Sequence, residues 1–125
     1  MKEFTEILKT LGEKSRLRIL KILQERPAYV CEIASILGLS MATVSSHLSR
    51  LKHFGIVKDK REGFKIKYFL IEPKNPEIKA FVQFLKDIGE EWDTVKKDRE
   101  KLEKLKLEDV CKNLKSEKSM HRKKT

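Results

Sequence analysis

Residues 31–51 read CEIASILGLSMATVSSHLSRL, and the fold is decided by this stretch. Ile33, Ala34 and Leu37 share one face of a short helix that begins near Val30. Gly38 follows at the place where a left-handed residue usually closes a helix. Ser40 stands as an N-cap for the next helix. That helix carries Val44, Leu48 and Leu51 at i, i+4 and i+7, which buries one stripe and leaves the rest free; Gly55 ends it. Ala34, Gly38 and Val44 supply a small residue where two helices cross, a glycine in the tight turn, and a branched residue beneath the second helix. Together they are the signature of a helix-turn-helix.

The flanking segments fit around this unit. Upstream, Phe4, Ile7, Leu8 and Leu11 have helical spacing and stop at Gly12. Ser15 is a cap candidate for a second helix built on Leu17, Ile19, Leu20, Ile22 and Leu23, which stops before Pro27. Downstream, Val57 to Arg61 reads as a strand and Glu62-Gly63 as a turn. Phe64, Ile66, Tyr68 and Leu70 then alternate with Lys65, Lys67 and Phe69 as a second strand with one apolar face. Pro73 and Pro76 close the hairpin. After them the spacing predicts one long amphipathic helix, striped by Ile78, Phe81, Val82, Leu85, Ile88, Trp92 and Val95. The predicted class is mainly α with a small β-hairpin, a winged helix-turn-helix with a long C-terminal dimerisation helix. One domain is expected over residues 1–115, with a basic, disordered tail over 116–125.

The chain has 125 residues, 29 Lys+Arg against 19 Asp+Glu, and a formal net charge of +10. A basic balance of this size favours a polyanion, either nucleic acid or an anionic surface. Half of the excess, +5, lies from Lys112 onward. The N-terminus lacks a secretory apolar segment and no apolar run is long enough to span a bilayer, so a cytoplasmic protein with no membrane partner is expected. The five glycines are scattered and form no phosphate-cradling loop, and no serine or cysteine has a base at recognisable spacing, so no enzyme is expected.

The second helix of the central unit has surface chemistry suited to DNA. Ala42, Thr43, Ser45, Ser46, Ser49 and Arg50 lie off its buried stripe. Their side chains are mostly short, so the helix backbone can come close to base edges in the major groove. On the hairpin, Lys60, Arg61, Lys65 and Lys67 would grip the phosphate backbone or minor groove. Two other classes compete: a winged-helix module that docks a protein with the same helix, and a non-specific DNA-binding protein.

The segments SRLRILKIL, CEIASILGLSMATVSSHLSRLKHFGIV and KDKREGFKIKYFL resemble the ArsR/SmtB family of bacterial and archaeal repressors over roughly residues 4 to 95. The resemblance implies a homodimer built on the first and last helices, with double-stranded DNA as partner and a metal, metalloid or redox signal releasing it. It places base reading on Met41, Ala42, Ser45 and Ser46, and puts Ser40 and Thr43 near phosphates. Met41 replaces a glutamine often found there. His47, within the family's S-x-H-L element, either reaches a phosphate or packs against the body.

The terminal stripes support dimerisation independently of the resemblance. Phe4, Ile7, Leu8 and Leu11, with Ile78, Phe81, Val82, Leu85, Ile88 and Trp92, present more apolar surface than one small domain covers, so they are the expected interface. The effector is less legible. Where many relatives carry a Cys-x-Cys pair this chain has Tyr29-Val30-Cys31, and a single thiolate cannot supply a soft-metal set. Asp87, Asp93 and Asp98 stand on the last helix without a histidine, so the family's zinc site looks absent. Cys31 and Cys111 are weak candidates for a thiol site, because a continuous helix about 50 Å long would hold them apart. No cofactor is assigned, and a metal or metalloid ion stays open as an effector.

Overall fold

The computed structural model describes residues 1–105. The chain runs α1 (Lys2–Leu11), α2 (Lys14–Glu25), β1 (Ala28–Tyr29), α3 (Val30–Leu37), α4 (Met41–His53), β2 (Val57–Glu62), β3 (Lys65–Leu70), α5 (Pro76–Asp87) and α6 (Asp93–Lys104). The expected tail over 116–125 lies outside the described residues.

The helix-turn-helix forms as its spacing requires. Gly38 has φ 69° and ends α3, and its N–H donates to the Ala34 carbonyl. The Ser40 side chain then caps α4 by accepting from the Thr43 N–H at 3.1 Å. The axes of α3 and α4 are bent by 112° at this turn, within the range of the motif. Val44, Leu48 and Leu51 are each 0% exposed, so α4 is held from beneath and its other faces are free. Ile19, Leu20 and Ile22 of α2 and Ile33 of α3 complete the centre of the core.

The hairpin pairs β2 with β3 in register from Val57↔Leu70 to Glu62↔Lys65. The turn is therefore Gly63-Phe64, one residue later than the sequence reading, and Phe64 leaves the apolar face for the tip. β1 adds a third strand beside β3, with Ala28↔Tyr68 and Tyr29↔Lys67 paired. Two residues carry no periodicity, so β1 has no sequence signature. The cap of α2 is also corrected: Glu13, rather than Ser15, accepts from the Arg16 N–H at 3.0 Å.

The largest difference is at the C-terminal end. The one long helix of the sequence reading is two helices, broken at residues 88–92. Ile88 is extended, Gly89 has φ 79°, and α6 folds back along α2 and α3. Lys21, only 1% exposed, sits against the break. Its Nζ reaches the carbonyls of Leu85 (3.2 Å), Lys86 (3.3 Å) and Ile88 (2.6 Å), which are the acceptors a helix end leaves open. Gln24 Nε2 donates to the Lys86 carbonyl as well, at 2.9 Å. Arg18 then grips Asp98 of α6 through two bonds of 2.9 and 2.8 Å, and Val95 and Leu102 are buried on either side.

Gly89 is required at this corner. A Cβ built on it would lie 2.5 Å from Trp92 Cε3, on a backbone that disfavours side chains. Gly89→Ala is expected to cost about 1–2 kcal/mol, from left-handed strain and displacement of the indole. A thermal melt checks this, and an unchanged Tm would show that the corner is not constrained.

Candidate nucleic-acid interface

The outer face of α4 is assembled from small side chains standing on the Val44–Leu48–Leu51 ridge. Ser40, Ala42, Thr43, Ser46, Ser49 and Arg50 are exposed, and Met41, Ser45 and His47 are half-buried. Ser40 Oγ also donates to Thr43 Oγ1 at 2.9 Å, so the first turn presents two coupled hydroxyls beside free backbone N–H groups. Such a helix start favours an anion such as phosphate.

His47 is drawn toward the body. Arg16 of α2 lies 3.0 Å from its Nδ1 and also donates through Nε to the Thr10 carbonyl at 2.7 Å. Glu13 stands 3.9 Å from the same imidazole nitrogen. Burial opposes ionisation of Glu13, but the backbone N–H groups of Arg16 and Ser15 and the charges of His47 and Arg16 outweigh it and hold the carboxyl below its ordinary range. Arg16 thus links α4 to the end of α1. Nothing in the sequence pattern marks Arg16 for this role.

The wing is divided. Lys60 and Arg61 are exposed on β2. Lys65 and Lys67 instead lie over the Tyr29 ring, at 5.3 and 5.7 Å from its centroid, and Lys67 pairs with Glu62 at 3.5 Å. The Tyr29 hydroxyl donates to Glu62, which raises the phenol pKa and lowers that of the carboxyl. Lys52, near the end of α4, pairs with Asp59 of β2 at 2.8 Å, a bond that raises the Lys52 pKa. An ion pair therefore connects the wing to α4. Phe64 at the tip is 56% exposed, a position that the sequence reading assigned to the core face.

The expected interface residues separate into three groups. Ile7, Leu11, Ile78, Val82 and Leu85 are buried in the chain's own core, at 7% exposure or less, because α1 and α5 pack on α2 and on each other. Phe4, Phe81 and Ile88 are half-buried, with Phe4 and Phe81 centroids 5.9 Å apart. Leu8 and Trp92 are exposed at 42% and 46%, and Phe84, absent from the sequence candidates, is exposed at 56%. It occupies the outer side of α5, three residues past Phe81, so the helical period could have pointed to it.

Among the described residues, no group of three or more histidine, cysteine or acidic side chains can hold a metal ion. Asp98 is engaged by Arg18, and Asp87 accepts from Gln83 at 3.0 Å. Cys31 is 4% exposed in the first turn of α3 and is engaged in a disulfide. Cys111 lies outside the described residues. The continuous last helix expected to hold Cys31 and Cys111 apart is broken at residues 88–92.

Residues 13–59 match the family model of the bacterial regulatory protein, arsR family. The chain is 40% identical over 81 residues to an uncharacterised HTH-type transcriptional regulator of Methanocaldococcus jannaschii, covering 64% of this chain and 91% of the relative. It is 33% identical to the arsenic resistance transcriptional regulator ArsR1 of Pseudomonas putida, over 69% of this chain and 68% of that one. Among solved structures, reduced HlyU from Vibrio cholerae aligns with TM-score 0.55 and 31% identity, covering 66% of this chain and 84% of that chain. A winged helix-turn-helix DNA-binding domain from Mycobacterium bovis, described as homodimeric, aligns with TM-score 0.55 and 30% identity over 69% of this chain and 80% of its own.

Proposed function

Because this chain belongs to the ArsR family of winged helix-turn-helix DNA-binding regulators, we propose that it is a cytoplasmic homodimeric repressor. It reads a palindromic operator with two copies of α4 and leaves that operator when an effector acts. The observation that carries this reading is the small, exposed side-chain face of α4, supported from below by three fully buried apolar residues. In this reading Met41, Ala42, Ser45 and Ser46 face base edges, Ser40, Thr43 and Arg50 face phosphates, and Lys60 and Arg61 follow the backbone. Lys65 and Lys67 stiffen the wing against Tyr29, and His47 orients α4 through Arg16. The test is sequencing of genomic fragments retained by the purified protein, followed by anisotropy across a salt series. The reading requires an enriched palindrome and affinity that falls steeply with salt; equal binding to all fragments would refute sequence-specific reading.

The second copy would cover the apolar face formed by Leu8 of α1 and by Phe81 and Phe84 of α5. A helix face with an exposed phenylalanine beside a half-buried one is suited to a partner of the same kind. Phe84→Glu is expected to give a folded monomer with operator affinity reduced by two orders of magnitude or more, since two half-sites no longer bind together. Light scattering on a sizing column checks the mass. A dimer retained by this variant would remove α5 from the interface.

The input that this reading favours is a thiol–disulfide change, the Cys31 disulfide being reduced by a dithiol and re-formed by an oxidant. Cys31 lies in the first turn of α3, the helix before α4, and is already engaged through its sulfur, so a change there would act on the packing of α3 beneath α4. A dithiol reductant is expected to lower the cysteine oxidation state by intact mass and to change operator affinity at least about threefold. Equal affinity in the reduced and peroxide-oxidised forms would exclude this input.

A further inference from the structure

Three charged or titratable side chains meet where the start of α2 packs against α4. Arg16 Nη1 stands 3.0 Å from His47 Nδ1. A guanidinium carries donors and no acceptor, so Nδ1 must accept, and in this arrangement the imidazole is neutral with its proton on Nε2. Arg16 is also held inward, its Nε donating to the Thr10 carbonyl of α1 at 2.7 Å. Glu13 is the N-cap of α2. Its Oε2 accepts from the Arg16 backbone N–H at 3.0 Å and stands 3.9 Å from the same Nδ1. On α4 itself the charged neighbour at helical spacing is Arg50, three residues past His47.

A second proton on the ring reverses these contacts. Nδ1 becomes a donor that faces a donor, one cation against another, and the bond from Arg16 is lost. The imidazolium has the Glu13 carboxylate instead, about 1 Å beyond the length of a charge-assisted hydrogen bond and within the sweep of two rotating side chains. The Glu13 carboxyl is held below its ordinary range, so it is already ionised where imidazoles change charge, between about pH 5 and 8. The neutral ring therefore takes Arg16 and the charged ring takes Glu13. The His47 and Glu13 side chains are 16% and 39% exposed, so protons reach both from solvent.

We propose that Arg16, His47 and Glu13 form a proton-operated switch of operator affinity, in which protonation of His47 exchanges Arg16 for Glu13 and tightens the grip of α4 on DNA. This rests on α4 being the reading helix. His47 shares one edge of that helix with Thr43 and Arg50, both exposed. In the charged arrangement the imidazolium neutralises Glu13 and the guanidinium is released from Nδ1, so this edge gains a positive charge beside the phosphates. By reciprocity, binding of DNA draws a proton onto each ring that is neutral in the free protein, and affinity rises as the pH falls.

The probe is a rhodamine-labelled duplex recovered in the genomic selection, titrated by anisotropy at about pH 8 and about pH 6 at constant ionic strength. The parent is expected to bind about tenfold more tightly at the lower pH, from one added charge in each of two protomers. His47→Asn keeps an acceptor for Arg16 and takes no proton, so at both pH values it should bind as the parent does at about pH 8. Glu13→Gln keeps an oxygen to cap α2 and loses the partner of the imidazolium, so its gain on acidification should shrink to about threefold or less. His53→Gln, which alters the exposed histidine at the end of α4, should keep the whole change. Parallel melts establish that each variant is folded, and either the His47 or the Glu13 variant alone decides. A parent with equal affinity at both pH values, or a folded His47→Asn or Glu13→Gln protein that keeps the parent's full change, overturns the switch while the reading helix stands. If the parent binds no duplex at either pH, the reading helix and the switch fail together.

Discussion

A Ser46→Glu variant is expected to fold and melt as the parent does while binding operator DNA at least about 100-fold more weakly. Ser46 is exposed on the outer face of α4, so nothing in the core responds to the change, and glutamate is at least as good a helix former as serine. On DNA the consequences reverse. The small hydroxyl that allows the helix to approach base edges becomes a longer side chain with a negative charge, placed between two rows of phosphates. Loss of one close base contact costs about 1–3 kcal/mol, repulsion adds to it, and a dimer suffers twice. A total of roughly 3 kcal/mol or more corresponds to about 100-fold. Two milder variants separate reading from grip. Ser46→Ala should compress the ratio between operator and unrelated DNA. Lys60→Ala should weaken both alike and lower the salt slope by about one per wing. Anisotropy with parallel thermal melts decides, and a Ser46→Glu protein that binds within a few-fold of the parent would remove α4 from the groove.

The residues that were legible in the sequence are those whose partners are near in the chain. Gly38, Ser40 and the Val44–Leu48–Leu51 ridge are fixed by turn chemistry, capping and the helical period, and the structure places each where these rules require. The end of α5 obeys no local rule. Ile78 to Val95 keeps a helical apolar stripe straight through the break, and a single glycine inside such a stripe usually marks nothing more than a weaker helix. At the break the open carbonyls meet Lys21, more than sixty residues earlier, from across the core. Likewise, Asp98 interrupts the stripe of α6 and reads as solvated, until Arg18 is seen to bury it. On the outer face of α4 the pattern of small side chains is visible in the sequence. The division of the wing cations is not, because it depends on Tyr29, on a two-residue strand brought to β3 only by the fold.

The same long-range contact gives the largest expected effect on stability. Lys21→Met should keep the volume of the aliphatic stem and remove the donor, leaving the carbonyls of Leu85, Lys86 and Ile88 without it at a buried helix end. Each buried polar group left unpaired costs on the order of 1–3 kcal/mol, and part is recovered because a methionine is easier to bury than a lysine. A net loss of about 2–3 kcal/mol is expected, or roughly 10 °C in Tm for a chain of this size. The loss should have a signature in acid. Glu90 also contacts Lys21 Nζ, at 2.9 Å, and Arg99 first, with Lys21 second, lowers its carboxyl from 4.5 to about 2. A carboxylate with a depressed folded pKa stabilises the fold above its unfolded pKa, and that contribution is lost as the pH falls from about 4.5 through about 2. Removing Lys21 leaves Glu90 with Arg99 alone, so the variant should lose less on going from neutral pH to pH about 2 than the parent does. Melts across that range check both statements. A Lys21→Met protein as stable as the parent would mean that water replaces Nζ at the end of α5, and that the fold-back of α6 is held by the Arg18–Asp98 pair and its apolar neighbours instead.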